Sequence, residues 1–127
     1  MIIDDSATDR YIEEHYLRKF FIAATVIPQS SAIDALDYLK QFADNLEELP
    51  QLIFLDIRMP LMDGFEFLDE YEKLPSSVHE YCTIVMISSS IDPGDHARIK
   101  ENRFVKKFIN KPLNKEKLWE LTALIKV

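Results

Sequence analysis

The chain has 127 residues, 47% of them hydrophobic and 29% charged, and this balance indicates one globular domain spanning residues 1–127. Its formal charge of −7 argues against nucleic acid as a direct partner, and its longest apolar run, from Phe20 to Ile27, is too short to cross a membrane. Because the chain has a single cysteine, Cys82, and no signal-peptide pattern at its start, an internal disulfide is excluded and we expect a cytoplasmic protein.

Two strands and two helices are predicted in the first third of the chain. Residues 1–3 form a short apolar strand that ends in two carboxylates, Asp4 and Asp5. The capping-box pattern Ser6-x-x-Asp9 begins a helix of about fourteen residues, with an apolar face formed by Ile12, Tyr16 and Phe20. A second strand is predicted from Phe21 to Ile27 and is closed by Pro28. A second helix begins at Ser31, and its apolar stripe consists of Ile33, Leu36, Leu39 and Phe42.

The stretch of residues 52–64 is the most informative part of the sequence. Four apolar residues lead directly into Asp56, and Pro60 prevents the strand from continuing much further. The strand therefore carries Asp56 to the C-terminal edge of a sheet, where open α/β folds bind their ligands. A third helix is predicted from Asp63 to Lys73.

Two more pairs of strand and helix complete the chain. A fourth strand, residues 82–87, begins at Cys82, which we interpret as a small buried hydrophobe, and stops at Ser88. Asp92 followed by Pro93 begins a fourth helix. The fifth strand is predicted from Phe104 to Ile109, before the sequence Asn110-Lys111-Pro112. Asn114 caps a last helix, whose apolar face consists of Leu118, Leu121 and Ile125.

Strand and helix thus alternate five times, and the middle strands are continuous apolar runs. This pattern predicts an α/β fold in which a doubly wound, five-stranded parallel sheet is covered by five helices. Right-handed crossovers bring the C-terminal ends of all strands to one edge. Trp119, at helical spacing, is predicted to lie in the core. Three histidines lack metal-ligand spacing and are predicted to be surface or half-buried residues: His15, His79 and His96.

Polar groups that suit phosphoryl transfer converge at this edge. The carboxylates of Asp4, Asp5 and Asp56 repel one another unless a cation joins them, and an oxygen-rich site of this kind suits Mg²⁺. Lys111 adds a positive charge and Ser88 adds a hydroxyl donor at the same place. Phosphoryl transfer requires a nucleophilic carboxylate, a metal site and groups that stabilise the negative charge of the phosphoryl oxygens.

The charge of the chain is unevenly distributed. Between Arg98 and Lys117 there are eight basic residues and two acidic ones, a net charge of +6, which leaves −13 on the remainder. This basic segment is either the solvated rim of two helices or a docking face for an acidic partner.

Taken together, these residues resemble the response-regulator receiver family, the CheY-like domains. The resemblance covers essentially the whole chain and rests on five motifs: Asp4-Asp5, Leu55-Asp56-Ile-Arg-Met59-Pro60, Asp63-Gly64, Ile87-Ser88 and Lys111-Pro112. It implies a flavodoxin-like sheet in the order 2-1-3-4-5. It also implies a phosphorylation-activated signalling switch of a two-component phosphorelay, which catalyses only its own phosphorylation and dephosphorylation.

The resemblance also implies a role for each site residue. Asp56 would accept a phosphoryl group from a sensor histidine kinase or a histidine phosphotransfer protein. Asp4 and Asp5 would hold Mg²⁺ together with Asp56 and the Arg58 carbonyl. Lys111 and Ser88 would contact the phosphoryl oxygens, and Phe108 occupies the position of the family's switch aromatic. The face made by the fourth helix, the fifth strand and the last helix would bind the downstream target.

Other functions remain open at this level. In a small aspartyl-phosphate phosphatase the nucleophile would lie on the first strand in an Asp-x-Asp arrangement, whereas Asp4 and Asp5 are adjacent. A flavodoxin-like flavin binder would require a phosphate-binding loop after the first strand, where this chain has two anions. Within the receiver family, the chain is either a stand-alone regulator or a domain excised from a larger hybrid kinase or transcription regulator.

Overall fold

Five parallel strands form one sheet in the order β2-β1-β3-β4-β5 in the computed structural model, which describes residues 1–20 and 25–124. The strands are β1 (Ile2–Ile3), β2 (Pro28–Gln29), β3 (Leu52–Asp56), β4 (Thr83–Ser88) and β5 (Val105–Asn110). The α/β class, the parallel sheet and the strand order are therefore confirmed. The register places Asp56 beside Ile87 and Ser88 beside Asn110, so the polar strand ends meet at one edge.

Within residues 1–20 and 25–124, six helices pack on the two faces of the sheet, one more than predicted. They are α1 (Ala7–Phe20), α2 (Ala32–Gln41), α3 (Gly64–Glu72), α4 (Ser76–Tyr81), α5 (Pro93–Glu101) and α6 (Lys115–Leu121), which a 3₁₀ turn at Thr122–Leu124 follows. The caps predicted at Ser31, Asp92 and Asn114 are confirmed, because their side chains accept hydrogen bonds from backbone N–H groups in the first turn of α2, α5 and α6. Asp63, which was predicted as the first residue of its helix, caps α3 in the same way. No helix among the described residues combines the length and apolar character needed to cross a bilayer.

The additional helix, α4, was not predicted from the sequence. It has only six residues and no side-chain cap, so its sequence lacks the periodicity that identifies longer helices. Tertiary contacts stabilise it instead: Val78 is fully buried, and the Ser77 hydroxyl donates a hydrogen bond to the Ala43 carbonyl. After α4, β4 begins at Thr83, one residue later than predicted, although Cys82 is buried as expected.

The position predicted for the second strand is wrong where it can be compared. Residues 21–24 of the predicted span lie outside the described residues, and residues 25–27 have no strand assignment. The strand lies at Pro28–Gln29, where the Ile2 and Asp4 amides donate to the Ile27 and Gln29 carbonyls. Proline is compatible with this place because β2 is an edge strand and Pro28 is its first residue.

Several predicted core residues are exposed. On α1 the buried residues are Glu13 and Leu17, whereas Ile12 and Phe20 are each 36% exposed. Ile33 on α2 is also exposed, and Trp119 is 72% exposed on the outer side of α6, so its placement in the core was wrong. His15 and His96 are exposed and His79 is half-buried, as predicted. Ile125 lies outside the described residues.

Alternation along the central strands builds the core on both faces of the sheet. On β3, Ile53 and Leu55 point into the cluster shared with α2 and α3, while Phe54 points into the cluster shared with α1 and α6. All five residues of β3 are buried for this reason. The strand that carries Asp56 is therefore supported from both sides.

Gly64 allows α3 to begin directly against the end of β3. Its N–H donates to the Ile57 carbonyl, and a methyl group in its place would lie 2.6 Å from the Asp56 carbonyl oxygen and 3.0 Å from the Ile57 Cα. Both of these atoms belong to the backbone and cannot rotate away. The Asp63-Gly64 motif thus sets the distance between α3 and the strand end that carries Asp56.

We expect Gly64→Ala to lower the free energy of unfolding by about 1–3 kcal/mol, because the added methyl group overpacks a rigid contact. Gly94→Ala is the matched control, since its methyl group would approach only the Asp92 side chain, at 3.2 Å, in the first turn of α5. Urea denaturation measures the free energy of unfolding of both variants. Equal losses at the two glycines would contradict the close-approach explanation.

Candidate functional site

Three carboxylates predicted from the sequence meet at the C-terminal edge of the sheet. Asp4 follows β1 and Asp56 ends β3, and these two strands are neighbours. Oxygens of Asp4, Asp5 and Asp56 all lie within 4.8 Å of one another. Asp4 and Asp56 are buried and Asp5 is exposed, so the cluster opens to solvent on one side. Such a set of hard oxygen donors is suited to a small divalent cation such as Mg²⁺.

The Lys111 ammonium reaches into this cluster from the end of β5. Its Nζ lies 2.7 Å from Asp4 Oδ2, 2.8 Å from Asp9 Oδ2 and 3.7 Å from Asp56 Oδ2. Burial alone would lower the pKa of Lys111, but the bonds to Asp4 and Asp9 and the charge of Asp56 together raise it. The ammonium therefore stays protonated and is positioned beside Asp56. Lys111 precedes Pro112 through a cis peptide bond.

The pKa of the Asp56 carboxyl group is raised above its ordinary value. Burial, the Asp4 carboxylate and, to a smaller extent, Asp5 raise the pKa of Asp56 to about 6. Lys111 and the Ile57 backbone oppose this rise but do not cancel it. A carboxylate surrounded by other carboxylates is destabilised in its charged form, and an incoming cation would relieve that repulsion.

The α1 helix contributes two acidic residues that sequence reasoning did not assign to the site. Asp9 was interpreted as half of a capping box, and its N–H does bond to the Ser6 hydroxyl, but its carboxylate binds Lys111. Glu13 lies one turn further along and is 2% exposed. Burial and the Asp4 carboxylate raise the pKa of Glu13 to about 8. The i, i+4 spacing of two acids in the helix after Asp4 and Asp5 was the available signal.

Ser88 at the end of β4 and Phe108 on β5 form identified contacts with residues outside the carboxylate cluster. Ser88 is buried at the end of β4, and its hydroxyl donates to the Ser90 carbonyl at 3.0 Å. Its own carbonyl accepts a hydrogen bond from the Lys111 amide, which joins the two loops. Phe108 is half-buried on β5 and packs edge-on against the His96 ring of α5, with 5.9 Å between ring centroids.

Arg58 points towards α5 rather than towards the carboxylate cluster. Its guanidinium binds the buried Asp95 carboxylate and lies 3.9 Å from Asp92. These two acids form the capping box of α5. The side chain of Arg58 therefore links the loop after Asp56 to the start of α5.

Comparison with known proteins points to one family. A family model described as the response regulator receiver domain matches residues 1–123. The chain is 34% identical over 120 residues to Protein PilG of Pseudomonas aeruginosa, and the match covers 93% of this chain and 79% of that protein. It is 30% identical over 126 residues to Sensor histidine kinase CheAY of Helicobacter pylori, a match that spans 99% of this chain but only 14% of the kinase.

A solved structure supports the same relationship. The response regulator receiver protein from Dyadobacter fermentans superimposes with a TM-score of 0.83 at 31% identity. The superposition covers 97% of this chain and 93% of that chain. The similarity therefore extends over nearly the whole of both chains.

We expect Asp56→Asn to stabilise the metal-free protein at pH 8 and to have little effect at pH 4. The pKa of Asp56 is raised from 3.8 to about 6, so the folded protein favours the neutral carboxyl. That contribution to stability is fully present below pH 3.8 and is lost as the pH rises through about 6. Asparagine resembles the neutral form at every pH.

Urea denaturation at pH 4, 6 and 8 in chelator-treated buffer measures this difference. Asp69→Asn, which removes an exposed carboxylate from α3, serves as the control and should change stability little at any of the three pH values. A gain from Asp56→Asn that is the same at pH 4 and pH 8 would contradict the prediction.

Proposed function

This chain belongs to the response regulator receiver family, and we propose that it is a phosphorylation-activated switch of a two-component phosphorelay in which Asp56 accepts the phosphoryl group. The observation that carries this proposal is the placement of the Lys111 ammonium 3.7 Å from the Asp56 carboxylate, within a cluster of acidic residues. The Asp56 carboxylate, which is the proposed nucleophile, thus lies next to the Lys111 ammonium, which would stabilise the phosphoryl oxygens. Residues 1–127 would form one receiver domain.

The carboxylate cluster fits Mg²⁺ by its donor chemistry. The ion would be held by Asp4, Asp5 and Asp56 with the Arg58 backbone carbonyl, the set that the family resemblance implies. Two of these carboxylates are buried and crowded, which leaves them with an unbalanced charge that a divalent cation would neutralise. When bound, the ion supplies positive charge that offsets the charge of the transferring phosphoryl group.

Phosphoryl transfer would begin with attack by an Asp56 oxygen on the phosphorus of a phosphohistidine. The new P–O bond forms as the P–N bond to the imidazole breaks, and the electron pair of that bond stays with the imidazole nitrogen. The Lys111 ammonium would stabilise the phosphoryl oxygens, a contact of about 4 kcal/mol at 4 Å and an effective dielectric near 20. Ser88 would have to release the Ser90 carbonyl before its hydroxyl could reach the same oxygens.

The partner that donates the phosphoryl group would be a sensor histidine kinase or a histidine phosphotransfer protein. One relative carries the name of a sensor histidine kinase, but the matched region is a small part of it, so its activity is not transferred to this chain. We propose that this protein catalyses only its own phosphorylation and dephosphorylation, in the cytoplasm. Neither nucleic acid nor a membrane is proposed as a direct partner.

The output surface would be the face formed by α5, β5 and α6. This face contains most of the basic segment, and two links join it to the site: Arg58 binds the start of α5, and the Lys111 amide binds the Ser88 carbonyl. Phe108 has no hydroxyl, so its part in switching would be steric. A shift of two states from 1:99 to 99:1 requires roughly 5.5 kcal/mol, which contacts from a phosphoryl group with about two negative charges could supply.

We expect acetyl phosphate to add one phosphoryl group to the protein only when Mg²⁺ is present, and Asp56→Asn to abolish the addition. Intact-mass measurement after incubation tests this directly. Asp63→Asn, which changes a nearby carboxylate that caps α3, should leave labelling intact. Normal labelling of Asp56→Asn would remove Asp56 from the central role.

We expect beryllofluoride, a phosphoryl mimic, to change backbone amide shifts beyond the loops around Asp56, at Ile99 on α5, Phe108 on β5 and Leu118 on α6. The reason is that Lys111 and Arg58 both connect the site to these elements. Asp56→Asn with the same reagent is the control. Shift changes confined to the loops would place the output surface elsewhere.

A further inference from the structure

Helix α5 buries much less apolar surface than the helices on either side of the central strands. Of its nine residues, all of which the structure describes, Asp95 is the one that is buried, and Ile99 is half-buried against the core. By contrast, α2 buries four residues and α3 buries five, none of them charged. Because most helical stability in proteins comes from packing an apolar face, α5 depends on its individual side-chain contacts.

Two of these contacts join α5 to the segment that follows Asp56. The Arg58 guanidinium binds the Asp95 carboxylate in the first turn of the helix. One turn later, the Arg98 guanidinium carbon lies over the Phe65 ring of α3, 3.9 Å from its centroid. The position of α5 is therefore tied to the chain between the end of β3 and the start of α3.

The burial of Asp95 gives its ion pair more weight than that of an exposed pair. The Arg58 side chain is 54% exposed, whereas the Asp95 side chain is 7% exposed. Ion pairs between two exposed side chains contribute little, but a buried carboxylate that loses its cation is strongly destabilised. In the described part of the chain, Arg58 is the cation that pairs with Asp95. The same Asp95 oxygen also accepts a hydrogen bond from the Asp92 amide, which holds the first turn of α5.

We propose that Asp95 anchors α5 to Arg58, so that this one ion pair carries a change at Asp56 to α5. The inference rests on the proposed function, since it takes Asp56 as the phosphoryl acceptor and the Arg58 carbonyl as a ligand of the cation. Arg58 would then meet the cation through its main chain and α5 through its side chain. Asp95 is a positioning residue in this role and touches neither the cation nor the phosphoryl group.

The second link from the site to the proposed output surface shares no residue with this ion pair. The Lys111 amide donates to the Ser88 carbonyl at 2.9 Å and joins the loop after β4 to the loop that leads into α6. Breaking the contact between Arg58 and Asp95 therefore leaves this second link in place. The output surface has two separable connections to the site, of which α5 follows the first and α6 the second.

A role for Asp95 as a helix cap alone predicts a different outcome. If Asp95 only stabilises the first turn of α5, replacing it lowers the stability of that helix and leaves its response to a phosphoryl mimic unchanged. If the ion pair carries the change, replacing either partner separates α5 from the site. The response of α6 then remains, which distinguishes this result from a general loss of structure.

The experiment is backbone amide NMR of the full chain, with hydrogen exchange of α5 and shift changes on adding beryllofluoride with MgCl₂ as the two measurements. Asp95→Asn removes the charge but keeps an oxygen that can accept from the Asp92 amide. Arg58→Gln breaks the same pair from the other side, and it serves if the first variant fails to fold. Asp92→Asn is the matched control, because Asp92 belongs to the same capping box, is 64% exposed and lies 3.9 Å from Arg58.

We expect the α5 amides of Asp95→Asn and Arg58→Gln to exchange about tenfold faster than those of the unaltered chain, while Asp92→Asn exchanges normally. The double variant should show no more than the larger single effect, since both changes remove one contact. With beryllofluoride, Asp95→Asn should lose the shift change at Ile99 and keep the one at Leu118.

A shift change at Ile99 that persists in Asp95→Asn, or that is lost equally in Asp92→Asn, overturns the inference when the unaltered chain responds around Asp56. Unchanged exchange of the α5 amides in both Asp95→Asn and Arg58→Gln overturns it as well. If the unaltered chain shows no response to beryllofluoride around Asp56, the proposed acceptor site fails, and this inference fails with it.

Discussion

The interaction on which the site depends is the contact of one ammonium group with carboxylates from three elements. Lys111 at the end of β5 binds Asp4 after β1 and Asp9 on α1, and it lies 3.7 Å from Asp56 at the end of β3. Without it, the ends of the strands would bring together like charges with no counter-ion. One ammonium cannot balance all of these carboxylates, however. The edge of the sheet is therefore held together while keeping an affinity for further positive charge.

Close packing constrains the backbone around Asp56. Gly64 places the start of α3 against the Asp56 carbonyl, and β3 is packed from both faces of the sheet. The loops that follow β3, β4 and β5 are joined by two links, from Arg58 to Asp95 and from the Lys111 amide to the Ser88 carbonyl. These links suit the proposed switch, because they connect the loop after Asp56 to the start of α5 and the loop after β4 to the loop after β5.

The errors of the sequence-based predictions have a common origin. Helical periodicity gave α1 its correct length, but it could not show that the face with Glu13 and Leu17, rather than the one with Ile12, meets the sheet. The same holds for Trp119, which has helical spacing but lies on the solvent side of α6. A hydrophobic period identifies a helix, and burial depends on which neighbouring elements cover each face. Short elements such as β2 and α4 gain their stability from tertiary pairing, which leaves little local pattern.

By itself, the sequence determined the alternation of strands and helices, the parallel sheet, the helix caps and the presence of Asp4, Asp5, Asp56 and Lys111 at one edge. These features follow from local rules: apolar runs form buried strands, capping residues begin helices, and right-handed crossovers place strand ends together. Only the tertiary structure decided which hydrogen bonds and ion pairs these polar side chains form. The Arg58 guanidinium binds the Asp95 carboxylate, and the Ser88 hydroxyl donates to the Ser90 carbonyl. The Asp9 carboxylate accepts a hydrogen bond from Lys111. Glu13 has no hydrogen-bond partner in the part of the chain that the structure describes. Hydrogen bonding and charge compensation depend on distances between elements far apart in the chain, which local sequence rules do not specify.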